Sequence, residues 1–418
     1  MKAAIVAVGS ELLTPLRVDT NSLVVTERLN AIGFDVRAKT IVGDDIEELA
    51  QVLEAALAWA DAIVVTGGLG PTADDITRQA IAHVLNVPLE VHEPVVQAIR
   101  ERFSRRGRVM PEINTRQALA PRGATLLANV NGTAPGLWLE HRATAIVALP
   151  GPPREMVPML DGVVRDRLTA HGGGTALFRR VVKIIGRPES EVDSLSEPVY
   201  GKWTRQPVPI TTTILTVPGE VELHLTARAK SRAEADRALD VAVGELQGVL
   251  GPAIYSVDGL ALAAVVGNLL RAKKLTVALA ESCTGGLLAS RLTDIPGSSD
   301  YVERGVVCYS NRSKIELLGL PPSMLDEHGA VSEPVARAMA EGVRARARTN
   351  VGIGVTGIAG PGGGTPEKPV GTVAIGVVVG DGARARTTRF YGDREQIKFQ
   401  SAQAALDMLR LMLLDADE

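Results

Sequence analysis

The 418-residue chain has only two cysteines and six histidines, and its aromatics are five Phe, five Tyr and three Trp. Two cysteines cannot make a disulfide framework or a zinc site alone, and the histidines show no H-x-x-x-H spacing. Neither sign of charge dominates: 45 Lys and Arg against 48 Asp and Glu leave a formal net charge of −3. That balance gives no overall drive toward nucleic acid or an anionic membrane. So few aromatics also leave little to stack single-stranded bases on. Direct nucleic-acid binding is therefore not expected. No apolar run approaches the roughly 18 residues of a membrane span, so no membrane association is expected. Residues 1–9 imitate a secretory signal, but their apolar part runs straight into Ser10 and Glu11 without a cleavage site. The segment reads better as the first buried strand of a cytoplasmic protein. Apolar residues make up 45% and charged residues 22%, the balance of an ordered globular chain.

Short β-rich runs at residues 3–8, 36–42, 62–66 and 145–149 alternate with apolar residues at helical spacing over 20–31, 46–60 and 76–85. Strands alternating with helices predict an α/β domain, residues 1–170, with a parallel sheet covered on both faces. A helix over 154–168 closes it, and the glycines at 172–174 mark a seam. Residues 175–255 read as strand, helix, two strands and a charged amphipathic helix, a small α+β domain. They carry no cluster of reactive side chains, which suggests a spacing or dimer-contact role. Residues 258–418 return to α/β layering, with strands at 275–280, 301–309, 351–356, 370–379 and 383–391 and helices at 260–272, 332–347 and 394–414.

Four clusters look like chemistry. The first runs from Thr66 to Thr77 and contains Gly67, Gly68, Gly70, Asp74 and Asp75 between a buried strand and a helix. Glycines let a backbone approach a ligand closely, and N–H groups at a helix start attract anions. No Lys-Ser/Thr follows, so this is not a Walker loop. Two carboxylates would repel phosphate unless a divalent cation bridged them, so the pattern suggests a metal-dependent phosphate site. Asp44 and Asp45 end the preceding strand at the carboxyl edge where open α/β sheets bind ligands. The plain alternative is that Asp75 and Asp45 cap the helices they precede.

This loop, with Gly151, Pro152 and Pro153 after the last strand, resembles the molybdopterin-binding fold. Gly9 to Leu13, Asp19 to Asn21 and Asn131 to Gly136 narrow the resemblance to the amino-terminal domain of the CinA family. The resemblance implies ADP-ribose pyrophosphatase activity, giving AMP and ribose 5-phosphate with a divalent cation, Mg²⁺ or Co²⁺. It places Asp75 and Asp44 or Asp45 at the acidic positions, with Asp74, Glu11 and Asn21 as weaker candidates.

The second cluster, Glu281 to Gly286, turns a strand into a helix and exposes a side chain where backbone N–H groups attract a developing oxyanion. Ser282 and Cys283 compete as nucleophile. A thiolate wants a His partner, and His328 is the only histidine in this third unit. Downstream, Tyr309 ends a strand and Lys314 follows it. A lysine shielded from water can accept a serine proton, and Ser–Lys pairs are an established variant of the triad. Taken singly, Ser282 also suits an N-cap, Lys314 a solvated helix and Tyr309 a half-buried strand. The third cluster, residues 351–364, holds a formal G-x-G-x-x-G at Gly352, Gly354 and Gly357. A proline-rich loop follows rather than a helix, so a dinucleotide fingerprint is rejected in favour of a strand ending at Thr356 and a glycine loop over a ligand. The fourth is Arg394 in the first turn of the last helix, a position the helix dipole disfavours for a cation unless it meets an anion.

In order and spacing these motifs resemble the CinA carboxy-terminal domain, also known alone as nicotinamide mononucleotide (NMN) deamidase. The resemblance covers essentially the whole chain. It implies metal-free hydrolysis of NMN to nicotinate mononucleotide and ammonia, with no cofactor at this site. Ser282 would be the nucleophile, with Lys314 or Tyr309 taking its proton. Thr356, Gly357, Gly286 and Arg394 would be substrate contacts, and a homodimer is implied. Two rivals keep the same fold: a non-enzymatic competence or DNA-damage scaffold binding protein partners, and a front domain that binds molybdopterin without hydrolysis.

Overall fold

In a computed structural model, residues 1–415 are described, and the chain divides into two units. One comprises Met1–Phe178 with Ala227–Arg237; the other comprises Arg179–Thr226 and everything from Ala238 onward.

The first unit is built on a six-stranded sheet. Its order is Asp35–Val42, Lys2–Val8, Ala62–Thr66, Thr144–Leu149, Gly136–His141, Thr125–Leu127. The first four strands are parallel, as the alternation of strands and helices predicts. The last two pairings are antiparallel. The reason is local: only Arg142 and Ala143 separate His141 from its partner Thr144, and a parallel return needs a crossover of a dozen or more residues. Both faces are buried. Ala3, Ile5, Ala62 and Val64 join one core with Trp138 and Leu160, while Ala4, Val6, Ile63 and Val65 join another with Leu49 and Ile81. This period-two division explains why the strands read as unbroken apolar runs. The helices are Asn21–Ala31, Ile46–Leu57, Thr77–Leu85 and Pro153–Val163, the last continuing through a π-turn at Val164–Leu168. A helix at Glu93–Ser104 and a strand pair, Leu89–Val91 with Leu119–Pro121, add to the elements expected.

The second unit holds a five-stranded sheet ordered Val302–Val307, Val277–Glu281, Val351–Gly357, Thr372–Val379, Gly382–Arg389. Val277–Glu281 runs parallel to both neighbours, so three strands end on one edge; the remaining pairings are antiparallel. Helices Leu262–Ala272 and Arg394–Asp415 cover one face and Glu333–Ala347 the other. Gly352, Gly354 and Gly376 lie beneath Glu333–Ala347, and a Cβ on any of them would strike the backbone of Ala336 or Ala340. Their role is close helix-to-sheet packing, which accounts for two glycines of the apparent fingerprint. Lying mainly in this unit, a four-stranded sheet is ordered Ile210–Val217, Glu220–Ala229, Ala176–Ile184, Ile254–Ser256, with helices Glu189–Tyr200 and Arg232–Leu250 alongside it in sequence.

Candidate active site

The carboxyl edge of the second unit's sheet gathers the second, third and fourth clusters. Ser282 directly follows strand Val277–Glu281, and its N–H donates to Val355 O at 2.9 Å, which fixes the chain at the turn. Helix Asn311–Leu318 opens with a capping box in which Ser310 accepts from Ser313 N–H at 3.1 Å. Lys314, in its first turns, is carried inward and left 1% exposed. Its Nζ lies 3.1 Å from Ser282 Oγ, 3.1 Å from Cys308 O and 3.3 Å from Tyr309 O. Burial pulls its pKa below the ordinary 10.5. A neutral lysine has two N–H groups and one lone pair. Two donations to the carbonyls leave the lone pair facing Ser282, the arrangement a general base requires.

Cys283 does not share this activation. Burial pushes its thiol up to about 12, and that of Cys308 up to about 11. Both thiols are therefore protonated at neutral pH, and the serine alternative is the one the geometry supports.

Sequence reasoning passed over Glu281. Its buried carboxylate accepts from the N–H groups of Gly286 at 3.0 Å, Leu288 at 3.0 Å and Ala289 at 2.8 Å. The start of helix Leu287–Thr293 is thus filled by a side chain of the protein itself. The N–H of Gly286, expected to face substrate, faces Glu281. The signal was present in the sequence, an acid five residues before Gly286, but nothing marked it as folding back on its own loop. Thr284, also passed over, is fully buried, and its hydroxyl has no hydrogen-bond partner among the described residues.

Arg394 bridges two of the expected segments, donating to Tyr309 Oη at 2.9 Å and to Gly360 O at 2.7 Å. Tyr309 is 59% exposed, its ring outside and its carbonyl on Lys314. Thr356 is buried, and its hydroxyl donates to Ala330 O at 2.8 Å, so its side chain holds the loop edge. At Gly357 a Cβ would stand 2.6 Å from Val373 and 3.0 Å from Cys283 Sγ, a close approach that only glycine permits.

In the first unit, the glycine loop, Asp44 and the segment after the last parallel strand line a cavity of about 380 Å³. Gly67 and Gly68 have positive φ, and a Cβ on Gly67 would strike Val8 O. Thr77 Oγ donates to Gly67 O at 2.9 Å, and the buried Arg78 donates to the carbonyls of Leu69 and Gly70. Burial lowers the Arg78 guanidinium to about 10. Asp75 closes the loop, accepting from Gly70 N at 2.6 Å, Thr72 N at 2.8 Å and Thr72 Oγ at 2.6 Å. Asp44 accepts from Ser10 N at 3.0 Å. Asp74 is exposed, and the Thr72 side chain and a backbone N–H hold its carboxyl below the usual range. Asp45 caps helix Ile46–Leu57 through Glu47 N and Glu48 N, and Asn21 donates to Gly151 O at 2.7 Å.

Among the described residues no group of three or more His, Cys, Asp or Glu stands close enough to cage a metal ion. Glu11, Asp44, Asp74 and Asp75 nonetheless line the cavity. Oxygen donors from one or two carboxylates suit a hard cation that completes its shell with substrate phosphate and water. The donor set therefore fits a substrate-bridged cation rather than a dedicated protein cage. No helix among the described residues is long and apolar enough to cross a membrane.

Three family models match the chain. They are described as "Probable molybdopterin binding domain" over residues 4–170, "Damage-inducible protein CinA KH domain" over 179–256 and "CinA C-terminal domain" over 260–413. A CinA-like protein of Koribacter versatilis is 45% identical over 99% of this chain and 100% of its own length. Another, from Solibacter usitatus, is 42% identical over 98% of both. The crystal structure of the competence/damage inducible protein CihA from Agrobacterium tumefaciens matches 37% of this chain and 93% of its own, at 43% identity and a TM-score of 0.35.

Proposed function

The chain belongs to the CinA family and carries a molybdopterin-binding-like domain in front, and on that footing we propose that it is a two-activity hydrolase of pyridine-nucleotide salvage. The carboxy-terminal site is a nicotinamide-nucleotide amidase. The observation that carries this reading is the buried Lys314 Nζ at 3.1 Å from Ser282 Oγ.

Neutral Lys314 takes the Ser282 proton as Oγ attacks the amide carbonyl carbon of NMN. The tetrahedral intermediate collapses, and Lys314 returns the proton to the departing nitrogen, which leaves as ammonia. The acyl ester on Ser282 is then attacked by water, whose proton passes to Lys314 and on to Ser282 Oγ, releasing nicotinate mononucleotide. No metal or cofactor takes part. Arg394, with two of its five donors held by Tyr309 and Gly360, keeps others for the 5′-phosphate.

The front site hydrolyses ADP-ribose to AMP and ribose 5-phosphate. Here a bound Mg²⁺ or Co²⁺ would neutralise phosphate charge and polarise the diphosphate. Asp44, Asp74 and Glu11 would hold it, while Asp75 and Arg78, hydrogen-bonded to the glycine loop, would fix its shape around the phosphates. The protein would work in the cytoplasm as a homodimer on small nucleotides. Incubation of the purified chain with NMN and with ADP-ribose, with and without EDTA, tests both readings by chromatography. The expected products are nicotinate mononucleotide regardless of EDTA, and AMP only in its absence. AMP formation unaffected by EDTA would contradict the metal-dependent half.

A further inference from the structure

A cavity of about 1050 Å³ opens beside the amidase site. One wall is the tip of the hairpin joining Ile210–Val217 to Glu220–Ala229, where Val217 and Pro218 face the cavity. The opposite wall is the start of helix Arg394–Asp415, contributing Arg394, Lys398 and Phe399. The turn is seated on that helix: a Cβ on Gly219 would lie 3.4 Å from Gln403 and 3.6 Å from Phe399.

Two observations tie the cavity to the chemistry. Arg394 lines it while donating to Tyr309 Oη and Gly360 O. Lys398 stands against the nucleophile loop, its Nζ 3.8 Å from where a Cβ on Gly285 would be. Lys398 lies one helical turn after Arg394, so both cations share a face. It is half-buried, and its ammonium makes no hydrogen bond or ion pair with a described residue. Four acids also line the cavity: Glu395 is exposed to solvent, and Glu220, Glu222 and Asp393 are engaged by other groups. Lys183 holds Glu220 at 2.9 Å and Glu222 at 2.7 Å. Gln403 and Tyr255 donate to the other Glu220 oxygen, and His224 meets Glu222. Asp393 accepts from Gln396 N at the helix start. A half-buried ammonium without a protein partner, facing a cavity beside a second cation, is free to pair with an anion there.

We propose that this cavity is the phosphate-bearing end of the amidase site, with Lys398 as a second phosphate contact beside Arg394 and the middle-domain hairpin as its outer wall. The proposal rests on the amidase reading and deepens it. The substrate class becomes a 5′-phosphorylated pyridine nucleoside, selected over the unphosphorylated nucleoside by two cations one turn apart. The middle region, without reactive side chains of its own, then has a function in substrate selection.

The test compares Lys398→Gln and Lys398→Arg with wild type on NMN and on nicotinamide riboside. For Lys398→Gln the expected result is a KM for NMN raised about tenfold or more, as for a lost charge-assisted hydrogen bond. kcat should be nearly unchanged, and so should kcat/KM for the riboside; Lys398→Arg should restore the KM. Inorganic phosphate should also compete with NMN less well in Lys398→Gln. An unaltered KM, or an equal loss on both substrates, overturns the proposal. A wild-type chain that releases no ammonia overturns the amidase reading itself. Calorimetric NMN binding then decides the subsite separately: weakening in Lys398→Gln supports it, and equal affinity rejects it.

Discussion

Lys314 and Ser282, 32 residues apart in sequence, meet Nζ to Oγ at 3.1 Å inside a site that leaves the lysine 1% exposed. The contact joins the end of one strand to the helix after its parallel neighbour, so it depends on the sheet register that pairs Glu281 with Val307. Replacing Lys314 by Met removes the base while keeping the apolar stem. Deamidation is expected to fall by about 10²–10⁴-fold in kcat, measured as ammonia release. Near-full activity would show that Lys314 is not the base.

The same burial sets a pH dependence. Lys314 has a folded-state pKa below its unfolded value of 10.5. kcat/KM should therefore rise with pH as Lys314 loses its proton, along a limb lying below 10.5 that Lys314→Met lacks. Stability follows with a definite sign. Between the folded and unfolded pKa values only the unfolded chain holds this proton, so the folded state gains stability as pH rises through that window. Urea titrations across alkaline pH should show this gain in wild type and its loss in Lys314→Met.

Cys283 adjoins the nucleophile but is held as a neutral thiol, its pKa pushed up to about 12. Cys283→Ala should keep deamidation within a few-fold, and a thiol-alkylating reagent at pH 8 should leave the folded enzyme active. Rapid inactivation by the reagent, with protection by NMN, would point back to cysteine chemistry.

Glu281 satisfies three backbone donors from within the core. Its replacement by Ala leaves them without an acceptor, at a cost of about 1–3 kcal/mol or more in unfolding free energy. Thermal melts should show the lower Tm. An unchanged Tm would mean that water or another acceptor replaces the carboxylate.

In the front unit, Asp45 and Asp44 are neighbours with different tasks. Asp45→Ala should cost about 1 kcal/mol as a lost cap while ADP-ribose turnover persists. Asp44→Ala should abolish turnover measured as AMP. Loss of turnover in both, with both folded, would return Asp45 to the metal site.

The strands were the most legible part of the fold, because residues 62–66 and 351–356 are buried on both faces and read as continuous apolar runs. The antiparallel edge and helix Glu93–Ser104 were not. The first depends on a two-residue turn at Arg142 and Ala143 with no glycine to announce it, and the second buries only Val96 and Ile99, leaving a weak apolar stripe. At the site, Arg394 stood out because the helix dipole disfavours a cation there, whereas Ser282 and Lys314, each ordinary taken singly, stood out only as a Ser–Lys pair in the order of the motifs. Glu281 looked ordinary, since an acid at a strand end gives no hint that it folds back onto the next helix. Only the resemblance marks Thr356 as a substrate contact, and that its hydroxyl donates to Ala330 O is a pairing between distant loops that spacing cannot reveal.

The central claim is a metal-free serine amidase, and ammonia release from NMN in EDTA by wild type beside Ser282→Ala tests it most directly. The account predicts release by wild type that disappears with Ser282. Release that persists in a folded Ser282→Ala, or that wild type shows only when a divalent cation is restored, would contradict it.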